Sequence, residues 1–418
     1  SSLVFIVPKT AGGRPWFLGS LVAAGLISAG AGAWLLQAVA PETQAASVYR
    51  TDLPKRPPVE VVEALPQLKE RLDHLAAGKQ FTGAVLVARG DQVLFRQVYG
   101  KANYEQDTPF ALDTRFRLAS VSKQFTAVAV LKLQDEGKLS VDDPVCKWIE
   151  PCPDAWRPLR IHHLLSHTSG IPDLMAQAEW GRIRVTHRTP QELTQTSARY
   201  GLQFEPGTKV RYNNAGFNLA AEIVSRASGR PFEDYLEQAV LRPLGMKDTG
   251  SDVNDDAQGL AMGYGLFPSG LTPQPIANVS VVAGAGALYS TMDGMRAWNR
   301  ALHQGHVLSA EAYADLIADH APDDLPERRG PHRAYGYGLY VGALGERTSS
   351  PFSDRQIYHT GSWAGFRNLV SYQPDQEVTV VVLSNNYHLR DLVLLINQQA
   401  MAEALGRPVP VALERPDL

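Results

Sequence analysis

Apolar positions recur along this chain in two rhythms, one of helical spacing and one of short runs bounded by turn residues. Val61, Val62, Leu65, Leu68, Leu72 and Leu75 fall on one helical stripe, so residues 60–77 are predicted to form an amphipathic helix. Residues 84–88 and 93–99 are apolar runs on either side of Arg89-Gly90-Asp91-Gln92, which is the pattern of a β-hairpin. Phe125, Val128, Ala129, Val130, Leu131 and Leu133 are apolar nearly all round and stop at Gly137, which predicts a buried central helix. Further helices are predicted over 215–227, ending before Gly229, over 232–240, and near 295–302. Residues 368–372 and 378–383 read as strands around Pro374-Asp375, followed by a helix over 389–405. Strands therefore cluster at both ends and helices lie between them. The predicted fold class is α+β, of the α/β sandwich type: an antiparallel sheet built from N- and C-terminal strands and flanked by helices, with a mainly helical inserted subdomain.

The pattern also divides the chain. Lys9 and Arg14 precede an uncharged stretch over 15–41, and basic residues before an apolar run mark export. Residues 1–41 are expected to be a signal peptide, with Ala38-Val39-Ala40 as an A-x-A cleavage site, or a retained anchor. For an anchor, Trp16 and Trp34 would stand about 27 Å apart on a helix, close to the hydrocarbon thickness, so residues 16–40 are a candidate membrane tether. Pro54, Pro57 and Pro58 make residues 42–59 an extended linker. The folded domain is expected over 60–405, with a C-terminal tail over 406–418. At 44% apolar and 20% charged, the 418 residues suffice for a large core, and a net charge of -3 without a basic stripe gives nucleic acid no footprint. The expected localisation is extracytoplasmic, periplasmic or at the cell surface. In that setting Cys146 and Cys152 are expected to form a short-loop disulfide, two buried thiols being the alternative. Neither zinc nor any other metal or cofactor is expected, since the cysteines lack C-x-x-C spacing and His163, which precedes His167 by four residues, is not followed by glutamate.

The candidate chemistry starts at Ser120-Val121-Ser122-Lys123. Residues i and i+3 share a helix face, so an amine would stand beside a hydroxyl and could take its proton. Ser122 falls on another side and reads as a structural hydroxyl. Tyr212-Asn213-Asn214, before a predicted helix, and His359-Thr360-Gly361-Ser362, before the C-terminal strands, complete a set of three motifs in order.

These motifs resemble those of the serine β-lactamase and penicillin-binding protein superfamily, whose signature is S-x-x-K, S-D-N and K-T-G. The similarity is to the class C β-lactamase-like branch, which also holds DD-peptidases, D-aminopeptidases and esterases. Tyr212-Asn213-Asn214 stands for S-D-N and His359-Thr360-Gly361 for K-T-G. The segments 116–123, 164–171 and 286–291 also look like family segments, and the resemblance covers roughly 60–405. It implies Ser120 as acylating nucleophile, with Lys123 or Tyr212 as its base. Asn214 is expected to bind a substrate carbonyl and hold Lys123. The resemblance places oxyanion donors at the backbone N–H groups of Ser120 and Ser362, and His359, Thr360 and Gly361 at the substrate or the proton-transfer network.

Histidine where a lysine is usual is only partly charged at neutral pH, which weighs against efficient β-lactam hydrolysis, and the resemblance to members with histidine there implies D-amino-acid peptides as substrates, by DD-carboxypeptidase or D-aminopeptidase action, with β-lactams as covalent ligands. Alternatives are an esterase on small esters, a weak β-lactamase, and a non-catalytic scaffold or penicillin-binding interaction protein. Ser290 and Thr291 read as a local turn or cap. The stretches 174–200 and 322–333 are candidate specificity loops.

Overall fold

The structure, a computed structural model, describes residue 61 and residues 64–267, 270–273, 277–322, 332–344 and 352–410. The export segment, the linker, most of the 406–418 tail and most of the 322–333 stretch lie outside these residues. The described residues all belong to one compact unit, Ala45–Leu418. Among them, no helix is long and apolar enough to cross a membrane.

The frame is a five-stranded sheet. β1 (Gly83–Arg89) and β2 (Gln92–Tyr99) form the N-terminal hairpin, and β3 (Ile357–Trp363), β4 (Phe366–Gln373) and β5 (Val378–Ser384) form a C-terminal meander. The order is β3-β4-β5-β1-β2, antiparallel throughout. The two chain ends meet where Gly83 stands opposite Ser384 and Arg89 opposite Val378. Every β5 residue is buried, which explains its continuous apolar run: a strand covered on both faces has no polar side to show.

Helices cover both faces. α1 (Pro66–Ala77) packs behind the sheet; α2 (Lys123–Asp135), α3 (Asn214–Ser228) and α4 (Met292–His303) lie in front; α5 (Arg390–Ala404) joins α1 behind. Alternation along the strands sorts the side chains. Val85, Val87, Val380 and Val382 share the rear core with Leu72, Ile396 and Met401, whereas Leu86, Val381 and Leu383 share the front core with Phe125 and Trp298. α2 is buried from Lys123 to Leu133, as its all-round apolar pattern predicts. It is held partly by Trp298, which stacks on Phe125 at 4.0 Å and donates from Nε1 to Gln124 Oε1.

Three elements depart from the sequence reading. α1 begins at Pro66, not residue 60, because proline presets the first helical turn and the chain before it runs along β2: Val61 bridges Val93, and Ala64 N–H donates to Leu94 O. The second is β3, which includes His359, Thr360, Gly361 and Ser362; such a polar sequence gives no strand signal, and its pairing with β4 makes the strand. The helix predicted over 232–240 spans Phe232–Leu236 and continues as a π-helical turn over Glu237–Leu241.

Candidate active site

The site is built where the front helices meet the β3 edge. Phe116–Arg117 pairs with Leu288–Ser290, and Leu118 N–H donates to Leu288 O, which fixes the chain entering the turn that carries Ser120. A single 3-10 turn, Ala119–Ser122, then leads directly into α2. Ala119 has φ +51, a left-handed conformation that disfavours any residue with a Cβ. Ser122, as expected, is structural: its Oγ accepts from Leu288 N–H.

Lys123 is fully buried, and its Nζ has three oxygens in reach: Ser120 Oγ at 2.9 Å, Asn214 Oδ1 at 2.7 Å and Ala285 O at 2.9 Å. Burial lowers its pKa to about 7, against the attraction of the Asp173 carboxylate, which raises it. In the neutral amine, two N–H bonds go to the two carbonyl oxygens, which can only accept. The lone pair is then left facing the Ser120 hydroxyl. This geometry can take the serine proton. Thr126 Oγ1 donates to Gly284 O at 2.6 Å and so pins the loop bearing Ala285 to α2.

Asn213 and Asn214 divide two tasks. Asn213, 2% exposed, is the N-cap of α3: its Oδ1 accepts from Gly216 N–H at 2.8 Å while its Nδ2 donates to Ile171 O. That cap starts α3 at Asn214, whose amide oxygen reaches Lys123 and whose Nδ2 contacts Met175 Sδ at 3.4 Å. Tyr212 stays 36% exposed, its ring 4.7 Å from Lys123 Nζ and 4.3 Å from the His167 ring.

Across the pocket, β3 supplies an open strand edge. Tyr358 exchanges both backbone hydrogen bonds with Tyr340, at 2.8 and 2.9 Å, so its N–H points away from β4. Alternation then directs the Thr360 and Ser362 N–H groups off the same edge. Gly361 lets the strand approach: a Cβ there would lie 2.2 Å from Leu118 O. His359 sits deeper, 1% exposed, with Nε2 3.1 Å from Tyr335 Oη and Nδ1 2.6 Å from Thr360 O.

The cavity between these elements measures about 260 Å³. Ser120, Tyr212, Asn214, Thr360 and Ser362 line it, together with Ala119, Met175, Val282, Ala285, Gly286, Tyr340 and Trp363. Lys123 and His359 stand behind this lining. Of the stretch 174–200, Met175 lines the cavity and Trp180 packs against Trp363 at 6.3 Å. Cys146 and Cys152 are joined as a disulfide in the helical part, with Cα atoms 5.4 Å apart. Thr291 caps α4 by accepting from Gly294 N–H, and Ser290 Oγ meets Thr249 Oγ1. His163 accepts from Arg160 N–H at the start of Ile161–Leu165.

Sequence reasoning did not single out Asp173, Val282, Tyr335, Tyr340 or Trp363. Asp173 stands just before the stretch marked as a specificity loop, and burial raises its pKa while Lys123 pulls it down. The alternating Tyr335-Gly336-Tyr337-Gly338 was the available signal for Tyr335, since Gly338 has φ +70 and a Cβ there would lie 2.7 Å from Lys123 O.

The Beta-lactamase family profile matches residues 68–401. Penicillin-binding protein 4* of Bacillus subtilis (strain 168) is 27% identical over 366 residues, 84% of this chain and 78% of that protein. A D-aminopeptidase of Gluconobacter oxydans (strain 621H) is 29% identical over 339 residues, 78% of this chain and 59% of that protein. Among solved structures, the octameric penicillin-binding protein homologue from Pyrococcus abyssi superposes with a TM-score of 0.69 at 26% identity, covering 82% of this chain and 77% of that one. The profile spans most of the domain, and the sheet order, the Ser120–Lys123 pair and the Tyr212–Asn214 loop all lie within it: the chain belongs to the β-lactamase family and is a serine hydrolase.

Proposed function

We propose that this protein is an exported hydrolase that forms an acyl-enzyme on Ser120 and acts on D-amino-acid-containing peptides, by DD-carboxypeptidase or D-aminopeptidase action. The observation that carries the reading is the buried Lys123 Nζ, 2.9 Å from Ser120 Oγ, 2.7 Å from Asn214 Oδ1 and 2.9 Å from Ala285 O, so that the neutral amine can donate to the two carbonyl oxygens and turn its lone pair to Ser120 Oγ. Lys123 accepts the serine proton as Oγ bonds to the substrate carbonyl carbon. The resulting oxyanion lies between the N–H groups of Ser120 and Ser362. Collapse breaks the carbonyl bond to the leaving amine, which receives the proton from Lys123 by way of Tyr212. Water, activated by the same pair, then hydrolyses the ester, because a base that accepts a proton in one half-reaction returns it in the other.

Likeness to penicillin-binding proteins and a D-aminopeptidase supports the substrate class. The Cys146–Cys152 disulfide supports an oxidising, extracytoplasmic setting, and the basic-then-apolar N-terminal sequence supports export by signal or anchor. β-Lactams are the expected covalent ligands, with slow turnover.

The test is a fluorescent penicillin applied to wild type and Ser120→Ala, followed by a substrate panel. Wild type should be labelled and the variant blank; equal labelling of both would remove Ser120 from the mechanism. Release of D-alanine from a D-Ala-D-Ala peptide or of nitroaniline from D-alanine p-nitroanilide would support the peptide reading, whereas turnover of p-nitrophenyl acetate alone would replace it with an esterase.

A further inference from the structure

Tyr335 connects two of the motifs through a buried chain of hydrogen bonds. Its hydroxyl lies 3.1 Å from His167 Nε2 and 3.1 Å from His359 Nε2. All three side chains are buried, at 2%, 2% and 1% exposure for Tyr335, His167 and His359. Asn213 N–H donates to His167 Nδ1 at 3.0 Å. At the other end, His359 Nδ1 lies 2.6 Å from Thr360 O.

The outer partners decide where each proton sits. A backbone N–H can only donate, so His167 Nδ1 carries a lone pair and its ring proton is on Nε2. Tyr335 Oη accepts that proton. A carbonyl oxygen can only accept, so His359 Nδ1 carries the proton and its Nε2 is the acceptor. Tyr335 O–H is then the donor to His359, and every donor in the chain has one acceptor. A doubly protonated His359 would direct a second N–H at Tyr335 Oη and leave the tyrosine proton without this acceptor in a buried place. Burial and the nearby Lys123 also hold His167 well below its ordinary pKa.

We propose that Tyr335 is a positioning residue: it locks His359 as the neutral Nδ1–H tautomer and, through His167 and Asn213, sets the spacing between the Tyr212–Asn214 loop and the Thr360–Ser362 edge. His359 thus acts through β3 and not on the substrate. The segment carrying Tyr335 is fixed to do this, since Gly338 abuts Lys123 O and Gly338 N–H donates to Leu165 O.

Two measurements test the proposal, and only the second rests on acyl transfer at Ser120. In the full chain labelled with ¹⁵N-histidine, long-range proton–nitrogen correlation should show His359 protonated at Nδ1 and His167 at Nε2, both neutral, with assignment by His359→Gln and His167→Gln. A charged or Nε2-protonated His359 overturns the proposal, and this readout on the wild-type chain needs no catalytic activity. The rate of acylation by fluorescent penicillin should fall roughly tenfold in Tyr335→Phe, as for a misplaced reacting group, with half-saturation within about twofold. Tyr337→Phe, on the same segment, should retain the wild-type rate. A wild-type rate in Tyr335→Phe, or an equal loss in both variants, would reduce Tyr335 to packing. If penicillin fails to label wild type, the Ser120 reading fails while the tautomers still decide the role of Tyr335.

Discussion

Lys123 illustrates how burial makes an ordinary side chain available as a neutral amine. An exposed lysine is an ammonium at neutral pH; enclosed with two carbonyl acceptors, this one titrates near neutrality, its pKa lowered to about 7 by loss of solvent. On the proposed mechanism acylation needs the Lys123 amine, which is depleted below that value. The acylation rate should therefore fall about tenfold per pH unit below the pKa and level off above it, measured with penicillin from acid to mildly alkaline pH. The attraction of Asp173 favours the ammonium, so Asp173→Asn should make the lysine a weaker base and move the acid limb to lower pH. A limb that stays in place in that variant would separate Asp173 from Lys123 titration. Sequence made the Ser120–Lys123 pair legible because spacing on a helix is local. Asp173 and Tyr335 were not legible as partners: each acts through a contact made only by the fold, and a lone aspartate or tyrosine has no spacing signal.

At the scale of elements, the site depends on how closely β3 approaches the turn before α2. Gly361 is the point of contact, because an added Cβ would meet Leu118 O at 2.2 Å and Ala119 Cβ at 3.3 Å. Backbone cannot move aside as a flexible side chain can, and Gly361→Ala should push Ser362 N–H away from Ser120. The expected loss in kcat is about a hundredfold, the scale of a misaligned oxyanion donor, with the fold retained by far-ultraviolet circular dichroism. Near-normal kcat would mean that the oxyanion donors lie elsewhere. β1, β2, β4 and β5 were legible as strands because apolar runs bounded by turns carry them. β3 was not, since its polar H-T-G-S sequence becomes a strand only by pairing with β4. α1 was misjudged at its start for a related reason: Val61 continues the apolar stripe of the helix but pairs with β2.

On the scale of the whole molecule, the two faces of the sheet do different work. The front layer holds α2, α3 and α4 and with them the site; the back layer, with α1 and α5, packs against the opposite faces of the same strands. This division follows from alternation: Val380 and Val382 serve the back while Val381 and Leu383 serve the front, so one strand supports both layers. Stability and chemistry should then be separable by mutation. Ile396 on α5 is fully buried in the back layer, and Ile396→Ala should cost about 3 kcal/mol by lost burial and a residual cavity. Guanidinium unfolding should show the midpoint lowered, while penicillin acylation per folded molecule keeps its wild-type rate, because neither the Lys123 partners nor the β3 edge is touched. A proportionate loss of acylation in the folded protein would instead mean that the back layer sets the position of β3, and that the sheet transmits packing from one face to the other.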